Sequence, residues 1–418
     1  MRWLLLLLLT LPAWGADWSH FRGPAGDGFT PETRLRTNWA AHPPKIRWTV
    51  PLSDQGFAGP AVVGGVVYIM DHQGTQDLVR ALDLRTGHER WRYAYPDATT
   101  QVYGYARATP AVVGGAVYTL SRLGKVHCLD ARTGTVYWMR DLVQAFHGAL
   151  PQWGYSMSPC VDGDTLVFCP GGKGAAVVAL DRHTGATRWQ GGGDDAPGYA
   201  TPVVAMLNGE RQYVIFAGAA LLGVAARTGA LRWRFPWATD LDKEVDTAVA
   251  RAHFNANAAV PVVIGNTVFI TTGYGHGSAL VDVTGNKPVV RWSTTALQSQ
   301  YTSPIVADGY VYCTTDPRGL RCLDLRTGKV AWQHDAIGRG GGLAAAKGLL
   351  FVMDGLTGAV ILVRLSPKGY TELGHVTPLA GENRTAPVLA DGCLLVRNRK
   401  ALACLDIALP PRANPRKR

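Results

Sequence analysis

The chain has 418 residues, of which 47% are hydrophobic and only 17% are charged, with 49 glycines and 25 prolines. This composition is typical of a globular protein built from short strands and tight turns. The formal net charge is +11. Apart from the tail at 410–418, the positive residues are dispersed and form no stripe that could follow nucleic-acid phosphates. We therefore expect no nucleic-acid partner.

The first 15 residues have the pattern of a signal peptide. Arg2 precedes a short apolar run, Leu4 to Leu11, and Ala13 and Gly15 fit the small-residue rule for cleavage after Gly15. The run is too short to span a bilayer, and no later stretch is long and apolar enough. No cysteine precedes Cys128. We therefore expect an exported protein, periplasmic or extracellular, that is soluble, not lipid-anchored and without a transmembrane segment.

One short pattern recurs along the chain. An Asp ends an apolar strand, a Thr-Gly pair follows after two intervening residues, and a Trp comes four residues after the Gly. The copies are ALDLRTGHERW (81–91), CLDARTGTVYW (128–138), ALDRHTGATRW (179–189) and CLDLRTGKVAW (322–332), with degenerate copies at 224–233 and 280–292. The Asp can accept bonds from turn N–H groups, the Gly supplies a positive φ, and the Trp offers a flat surface for packing between repeats.

A second signal precedes each copy: a small-residue or Pro strand, a two-residue turn, and an aromatic or β-branched strand. Such dipeptides are strong hairpin signals. They are Gly64-Gly65, Gly114-Gly115, Asp162-Gly163, Asn208-Gly209, Gly265-Asn266, Asp308-Gly309, Lys347-Gly348 and Asp391-Gly392. The pattern predicts eight repeating units.

The two ends of the chain complement each other. The last unit, 385–407, lacks a Trp strand, whereas residues 44–52 contain a Trp strand with no unit before it. We therefore predict an all-β, eight-bladed β-propeller of four-stranded antiparallel blades over residues 44–407, closed by the N-terminal strand joining the last blade. Residues 16–43 should pack over it as an irregular segment, and 408–418 should form a disordered basic tail. Blade seven lacks the signature, which leaves its outer hairpin the least defined.

The pattern LDxxTGxxxW resembles the pyrroloquinoline-quinone-like (PQQ-like) propeller repeat over about residues 45–407. That family contains quinoprotein dehydrogenases and, at the level of the repeat, the outer-membrane barrel-assembly lipoprotein. The FRGP leader and the segments WGYSMSP and TTGYGHGSAL look most like a subgroup of exported bacterial propellers. The resemblance implies the fold and leaves the function open, because one scaffold hosts cofactor enzymes and non-catalytic adaptors.

Two functions remain open on this basis. A PQQ-dependent alcohol or sugar oxidoreductase would hold the quinone with Ca²⁺, in many members against adjacent cysteines, and this chain has no adjacent cysteines and no Cys-x-x-Cys-His haem motif. The histidines show no metal-ligand spacing. We favour a monomeric, non-catalytic propeller that binds a protein partner or ligand through its loop face and channel mouth, in envelope or outer-membrane assembly. We expect no catalytic residue, metal or cofactor; PQQ with Ca²⁺ is the alternative.

Residues just before each innermost strand of a propeller surround one mouth of the central channel. At those positions aromatic, amide and arginine side chains recur, which suits stacking and hydrogen bonding with a ligand. They are Gln55, Phe57, Tyr105, Arg107, Trp153, Tyr155, Tyr199, His253, Asn255, Asn257, Gln300, Tyr301, Arg339, Asn383 and Arg384. Arg107, Arg339 and Arg384 favour a small anionic ligand. The alternative is that polar loops and tyrosines simply fill the channel.

The seven cysteines allow disulfides but leave at least one thiol unpaired. Cys313 and Cys322 flank one short turn and should lie opposite each other across it, and Cys393 and Cys404 are placed similarly around another turn. A cross-strand disulfide is therefore possible in each pair. Buried free thiols are the alternative.

Overall fold

A computed structural model describes residues 16–98, 104–237 and 256–410. Its strands form eight four-stranded antiparallel sheets, and the predicted eight-bladed β-propeller is confirmed. The expected signal peptide, His253, Asn255 and most of the expected basic tail lie outside the described residues. Within those ranges, no helix has the length and apolar character needed to cross a membrane.

Each blade runs outward from an innermost strand, in chain order. Blade 1 contains β2 (Ala61–Val63), β3 (Val66–Gln73), β4 (Gln76–Asp83) and β5 (Glu89–Pro96), and blade 2 contains β6 (Ala111–Val113), β7 (Ala116–Leu120), β8 (Lys125–Asp130) and β9 (Val136–Asp141). Blade 3 contains β10 (Cys160–Asp162), β11 (Thr165–Phe168), β12 (Val177–Asp181) and β13 (Thr187–Gly191), and blade 4 contains β14 (Val203–Leu207), β15 (Glu210–Phe216), β16 (Ala220–Ala225) and β17 (Leu231–Pro236).

Blade 5 contains β18 (Val262–Ile264), β19 (Thr267–Thr272), β20 (Gly277–Asp282) and β21 (Val289–Thr294), and blade 6 contains β22 (Ile305–Ala307), β23 (Tyr310–Thr314), β24 (Arg318–Asp324) and β25 (Val330–Gly338). Blade 7 contains β26 (Gly342–Ala346), β27 (Leu349–Met353), β28 (Val360–Arg364) and β29 (Glu372–Val376), and blade 8 contains β30 (Val388–Ala390), β31 (Cys393–Arg397), β32 (Ala401–Asp406) and, outermost, β1 (Lys45–Pro51). A short helix, α1 (Leu142–Phe146), follows β9, and a 3₁₀ turn (Thr284–Asn286) precedes β21.

The middle strands supply the core and the outermost strands face solvent. β3 is buried at every position except its last, whereas β5 alternates between half-buried and exposed residues until its final pair. Strands covered by sheets on both faces are apolar throughout, and edge strands alternate. The core therefore lies between neighbouring blades, around the ring.

The Asp-Thr-Gly turns form as predicted. Asp83 Oδ1 accepts hydrogen bonds from the N–H groups of Arg85 and Thr86, each at 3.0 Å, and Gly87 has φ +74°. Blade 7 also contains this turn, at Asp354 to Gly358. In blade 7 this turn joins β27 to β28, the second and third strands. In the other copies it joins the third strand to the fourth, and the signature is therefore absent from that position in blade 7.

The repeat tryptophans join neighbouring blades. In six of the repeat tryptophans the indole Nε1–H donates to a backbone carbonyl of the following blade at 2.9–3.0 Å, whereas the Trp233 Nε1–H donates to Gln212 Oε1 within blade 4. The pairs are Trp48 with Leu84, Trp91 with Ala131, Trp138 with Arg182, Trp189 with Ala226, Trp292 with Leu325, and Trp332 with Ser366. The repeat glycine of that next blade lies under the indole ring; a Cβ on Gly134 would stand 2.6 Å from Trp91 Cε3. The repeat thus specifies a contact between units as well as a turn.

The ring closes through β1. This strand pairs antiparallel with β32, and Trp48 lies opposite Cys404. The prediction that the N-terminal strand completes the last blade is confirmed.

Residues 16–43 contain isolated β-bridges but no strand or helix. The Trp18 N–H donates to Val62 O in blade 1, Ser19 O accepts from the Val112 N–H in blade 2, and the Thr30 N–H donates to Ala345 O in blade 7, each at 2.8 Å. Asp17 and Glu32 accept bonds from the hairpin turns at Gly64 and Gly392. The segment therefore crosses the channel at the end that carries these turns.

Neither cysteine pair lies directly opposite across its turn. Cys393 lies opposite Asp406 and Cys404 opposite Leu395, two residues away in register, which leaves both side chains on the same face of the sheet. Cys322 lies opposite Tyr312, and Cys313 lies opposite Arg321, one residue away in register. A shift of one residue places a side chain on the other face of the sheet. The prediction that Cys313 and Cys322 lie opposite each other is therefore wrong. All seven cysteines are buried free thiols here.

Candidate functional site

A cavity of about 490 Å³ occupies the central channel where the innermost strands begin. Every blade contributes the residues that immediately precede its first strand, and Phe21 and Arg22 of the N-terminal segment form the floor. The lining includes Phe57, Gly59, Arg107, Thr109, Trp153, Ser156, Ser158, Tyr199, Thr201, Ala256, Ala258, Tyr274, Gln300, Tyr301, Thr302, Ser303, Arg339, Arg384 and Thr385. The volume is that of a small-molecule site.

The structure brings together about half of the side chains predicted at the mouth. Those that line the cavity are Phe57, Arg107, Trp153, Tyr199, Gln300, Tyr301, Arg339 and Arg384. Their role in binding stays a prediction.

The remaining predicted residues lie elsewhere. Gln55 is on the rim, where its Oε1 accepts from Arg399, and Tyr105 stacks on His72 with ring centroids 3.9 Å apart. The Tyr155 hydroxyl donates to Pro170 O at 2.8 Å, and the Asn257 amide donates to Ala217 O and Gly218 O. Asn383 is buried, and its Oδ1 accepts from the Thr385 N–H. The polar groups of Tyr155, Asn257 and Asn383 therefore bond to the protein's own backbone.

Sequence reasoning missed the floor and a set of hydroxyls. The residue before the first proline of several inner strands is Ser or Thr, and it accepts a backbone bond from the preceding blade. The Thr109 N–H donates to Ser158 Oγ at 3.0 Å, the Ser158 N–H to Thr201 Oγ1 at 2.9 Å, and the Val260 N–H to Ser303 Oγ at 3.0 Å. The recurring Ser/Thr-Pro pair was the available signal.

The cavity is cationic. Arg22 donates to Gly26 O, Asp27 O and Pro304 O, and Arg384 pairs with Glu382 while its guanidinium lies 5.3 Å from the Phe57 ring. Arg107 makes no hydrogen bond or ion pair with any described residue, and its Nε and Nη2 are buried. Burial, followed by repulsion from Arg122, lowers the pKa of Arg107 to about 9. No Asp or Glu lines this cavity within the described ranges.

A buried acidic group lies beside the mouth, on the blade 1 side. His72 Nδ1 and Asp77 Oδ1 are 2.7 Å apart, and the Tyr95 hydroxyl donates to Asp77 Oδ2 at 3.3 Å. Asp97 is only 1% exposed. Burial and the nearby charge of Asp77 raise the pKa of Asp97 to about 6.

Replacing Asp97 with asparagine should stabilise the protein at neutral pH. The folded Asp97 holds its proton more tightly than the unfolded one, which makes wild-type stability fall as pH rises from about 4 to 6. D97N should raise the free energy of unfolding by about 1–2 kcal/mol at pH 7.5 and should leave it unchanged at pH 4. Urea denaturation at both pH values measures this.

Asp83 provides the control of opposite sign. Its hydrogen bond from Arg90 lowers its pKa to about 2, which gives it stability that is present above pH 4 and lost at lower pH. D83N should therefore destabilise at pH 7.5. If D97N and D83N changed the free energy of unfolding at pH 7.5 in the same direction, the opposite pKa shifts assigned to Asp97 and Asp83 would be contradicted.

Comparison with known proteins identifies the family. A family model described as outer membrane protein assembly factor BamB matches residues 75–334, more than half of the chain. The chain belongs to this family. The outer membrane protein assembly factor BamB of Yersinia pestis is 24% identical over 296 residues, 67% of this chain and 68% of that protein. Its counterpart in Moranella endobia (strain PCIT) is 23% identical over 297 residues, 66% and 67% of the two chains.

Solved structures agree on the architecture. BamB from Moraxella catarrhalis superposes with a TM-score of 0.62 at 16% identity, covering 87% of this chain and all of that one. Quinohemoprotein alcohol dehydrogenase ADHIIG from Pseudomonas putida HK5 superposes with a TM-score of 0.55 at 15% identity, covering 96% and 82%. The predicted PQQ-like resemblance is confirmed. At these identities the structural likenesses show the fold alone.

The residues present do not fit a quinone held with Ca²⁺. Calcium binds six to eight oxygen ligands, usually including carboxylates. The described cavity lining contains none, and the described residues contain no group of three or more His, Cys, Asp or Glu side chains placed to hold a metal ion. We therefore derive no chemistry through that cofactor.

Proposed function

We propose that this chain is a non-catalytic, exported member of the BamB family that holds a protein partner at its loop face during outer-membrane assembly. Membership of the family supports a role in outer-membrane assembly, because the curated relatives carry the name outer membrane protein assembly factor. The expected signal peptide supports export.

The observation that carries the proposal is the convergence of side chains from all eight blades on one mouth. Aromatic and arginine residues such as Trp153, Tyr301 and Arg339 are the types enriched at the centres of protein interfaces. A rigid ring presents them with little loss of conformational entropy on binding.

Deleting the gene in the source bacterium should lower the amount of folded β-barrel protein in the outer membrane, and the wild-type chain should restore it. The variant Arg339→Glu should restore it poorly, because it reverses an exposed charge on the loop face. Lys329→Glu, an equal charge change in the exposed outer turn of blade 6, is the matched control. Quantitative immunoblotting of heat-modifiable barrels measures the outcome. Unchanged barrel levels after deletion would contradict the proposal.

A further inference from the structure

Arg107 is a half-buried cation with no hydrogen-bond acceptor or ion-pair partner among the described residues. Its Nε and Nη2 atoms are buried without an acceptor in that part of the chain. Removing a charged donor from water without a partner is unfavourable, and buried guanidinium nitrogens therefore normally carry carbonyl or carboxylate partners. Arg22, which is 7% exposed at the floor of the same cavity, shows the normal case with three carbonyl acceptors at 2.7–3.0 Å.

The surroundings of Arg107 favour an anion. The arginines Arg22, Arg339 and Arg384 share its cavity. Of these, Arg384 is neutralised by Glu382, whereas Arg339 is exposed and pairs with no described residue. The acid behind Gln300 and Tyr301, Asp316, has its pKa raised to about 6 by burial and adds little negative charge at mildly acidic pH.

Unused hydrogen-bond donors point to a ligand as well. Thr302 is 2% exposed and lines the cavity, and its Oγ1 has no hydrogen-bond partner within the described chain. Most buried hydroxyls in proteins have a partner. The Arg107 guanidinium and the Thr302 hydroxyl are thus two donors of the lining that lack a partner in the described chain, and they come from blades 2 and 6.

The walls restrict the size and character of the ligand. Trp153 and Tyr199 lie with ring centroids 5.6 Å apart, and Phe57 and Tyr301 contribute further aromatic surface. Phe21 and Arg22 close the far side. A blind cavity of about 490 Å³ suits a small organic molecule with a planar apolar body.

We propose that the central cavity binds a small organic carboxylate whose charge neutralises Arg107. A single carboxylate matches in charge the one half-buried guanidinium of the described lining that lacks a partner, since the other unpaired arginine, Arg339, is exposed to solvent. This inference does not rest on the proposed assembly role, because its test uses purified protein alone.

Calorimetry at constant ionic strength tests the proposal with benzoate, its neutral analogue benzamide, inorganic phosphate and the blocked dipeptide acetyl-Tyr-Glu-amide. Benzoate should bind saturably and at least about tenfold more tightly than benzamide. Binding of the peptide but not of benzoate would support the site and assign the carboxylate to a protein side chain. Tighter binding of phosphate than of either carboxylate would overturn the choice of ligand.

The variant Arg107→Met should lower benzoate affinity at least about tenfold. Arg232→Met, which removes the same charge from an exposed pair with Glu210 on β17, should leave affinity unchanged. Benzoate affinity that survives in R107M would overturn the proposal.

Thermal unfolding without ligand adds a readout that is independent of affinity. R107M should melt at a higher temperature than the wild type, because it removes two guanidinium nitrogens that are buried without an acceptor in the described chain, whereas Arg22→Met should melt lower, because it removes three satisfied bonds. A loss of stability in R107M equal to that in R22M would make Arg107 a structural residue and overturn the inference.

Discussion

Replacing Gly134 with alanine should lower the free energy of unfolding by about 2–4 kcal/mol. The residue has φ +75°, where an L side chain is strained by about 1 kcal/mol or more. Its new Cβ would also stand 2.6 Å from Cε3 of Trp91 in the neighbouring blade. The remainder of the expected cost comes from this overlap. Equilibrium urea denaturation measures it.

Gly115 is the matched control for that substitution. It has φ +78°, and no heavy atom lies within 4 Å of the position of its Cβ. Gly115→Ala should therefore cost only about 1 kcal/mol. In a Trp91→Ala background the clash is absent, and the effect of Gly134→Ala should fall to the same value. If Gly134→Ala costs no more than Gly115→Ala, the repeat glycine is needed for its turn alone.

Replacing Trp48 with alanine should destabilise the ring by about 3–5 kcal/mol. This indole is 9% exposed in the strand that closes blade 8. It packs over Gly87 of blade 1, and its Nε1 donates to Leu84 O at 2.9 Å. The substitution removes the largest side chain at the junction between the two ends of the chain.

Phenylalanine at the same position separates packing from hydrogen bonding. Trp48→Phe keeps an aromatic ring over Gly87 and loses only the donor, which should cost about 1 kcal/mol. Urea denaturation followed by near-ultraviolet circular dichroism compares the two variants. Equal losses in both would show that the hydrogen bond, and not ring packing, joins the blades.

The fold was predictable because its information is local and repeated. Each Asp-Thr-Gly turn and each inner hairpin such as Gly64-Gly65 is encoded within a few residues. The eight copies of the inner hairpin give the number of blades directly. Even the exception in blade 7 retains the same turn chemistry at Asp354, one hairpin earlier.

The candidate site was only partly predictable, because position at the mouth does not fix where a side chain points. Tyr155 and Asn257 precede inner strands, yet their polar atoms bond to buried carbonyls. Phe21 and Arg22 belong to a non-repeating segment, and Arg22 donates to Pro304 O, 282 residues away along the chain. The prediction that Cys313 and Cys322 lie opposite each other was wrong because the strands pair one residue out of the expected register, and such a shift places the two side chains on opposite faces of the sheet.

The pairing of β1 with β32 has a consequence for biogenesis. The partners are separated by roughly 350 residues, which a ribosome takes about 20–70 s to synthesise. Throughout most of that interval Trp39 lacks its native partner Phe351, and the unpaired edges of nascent blades can associate with other chains. The ring can therefore close only once the strands of the last blade have been synthesised.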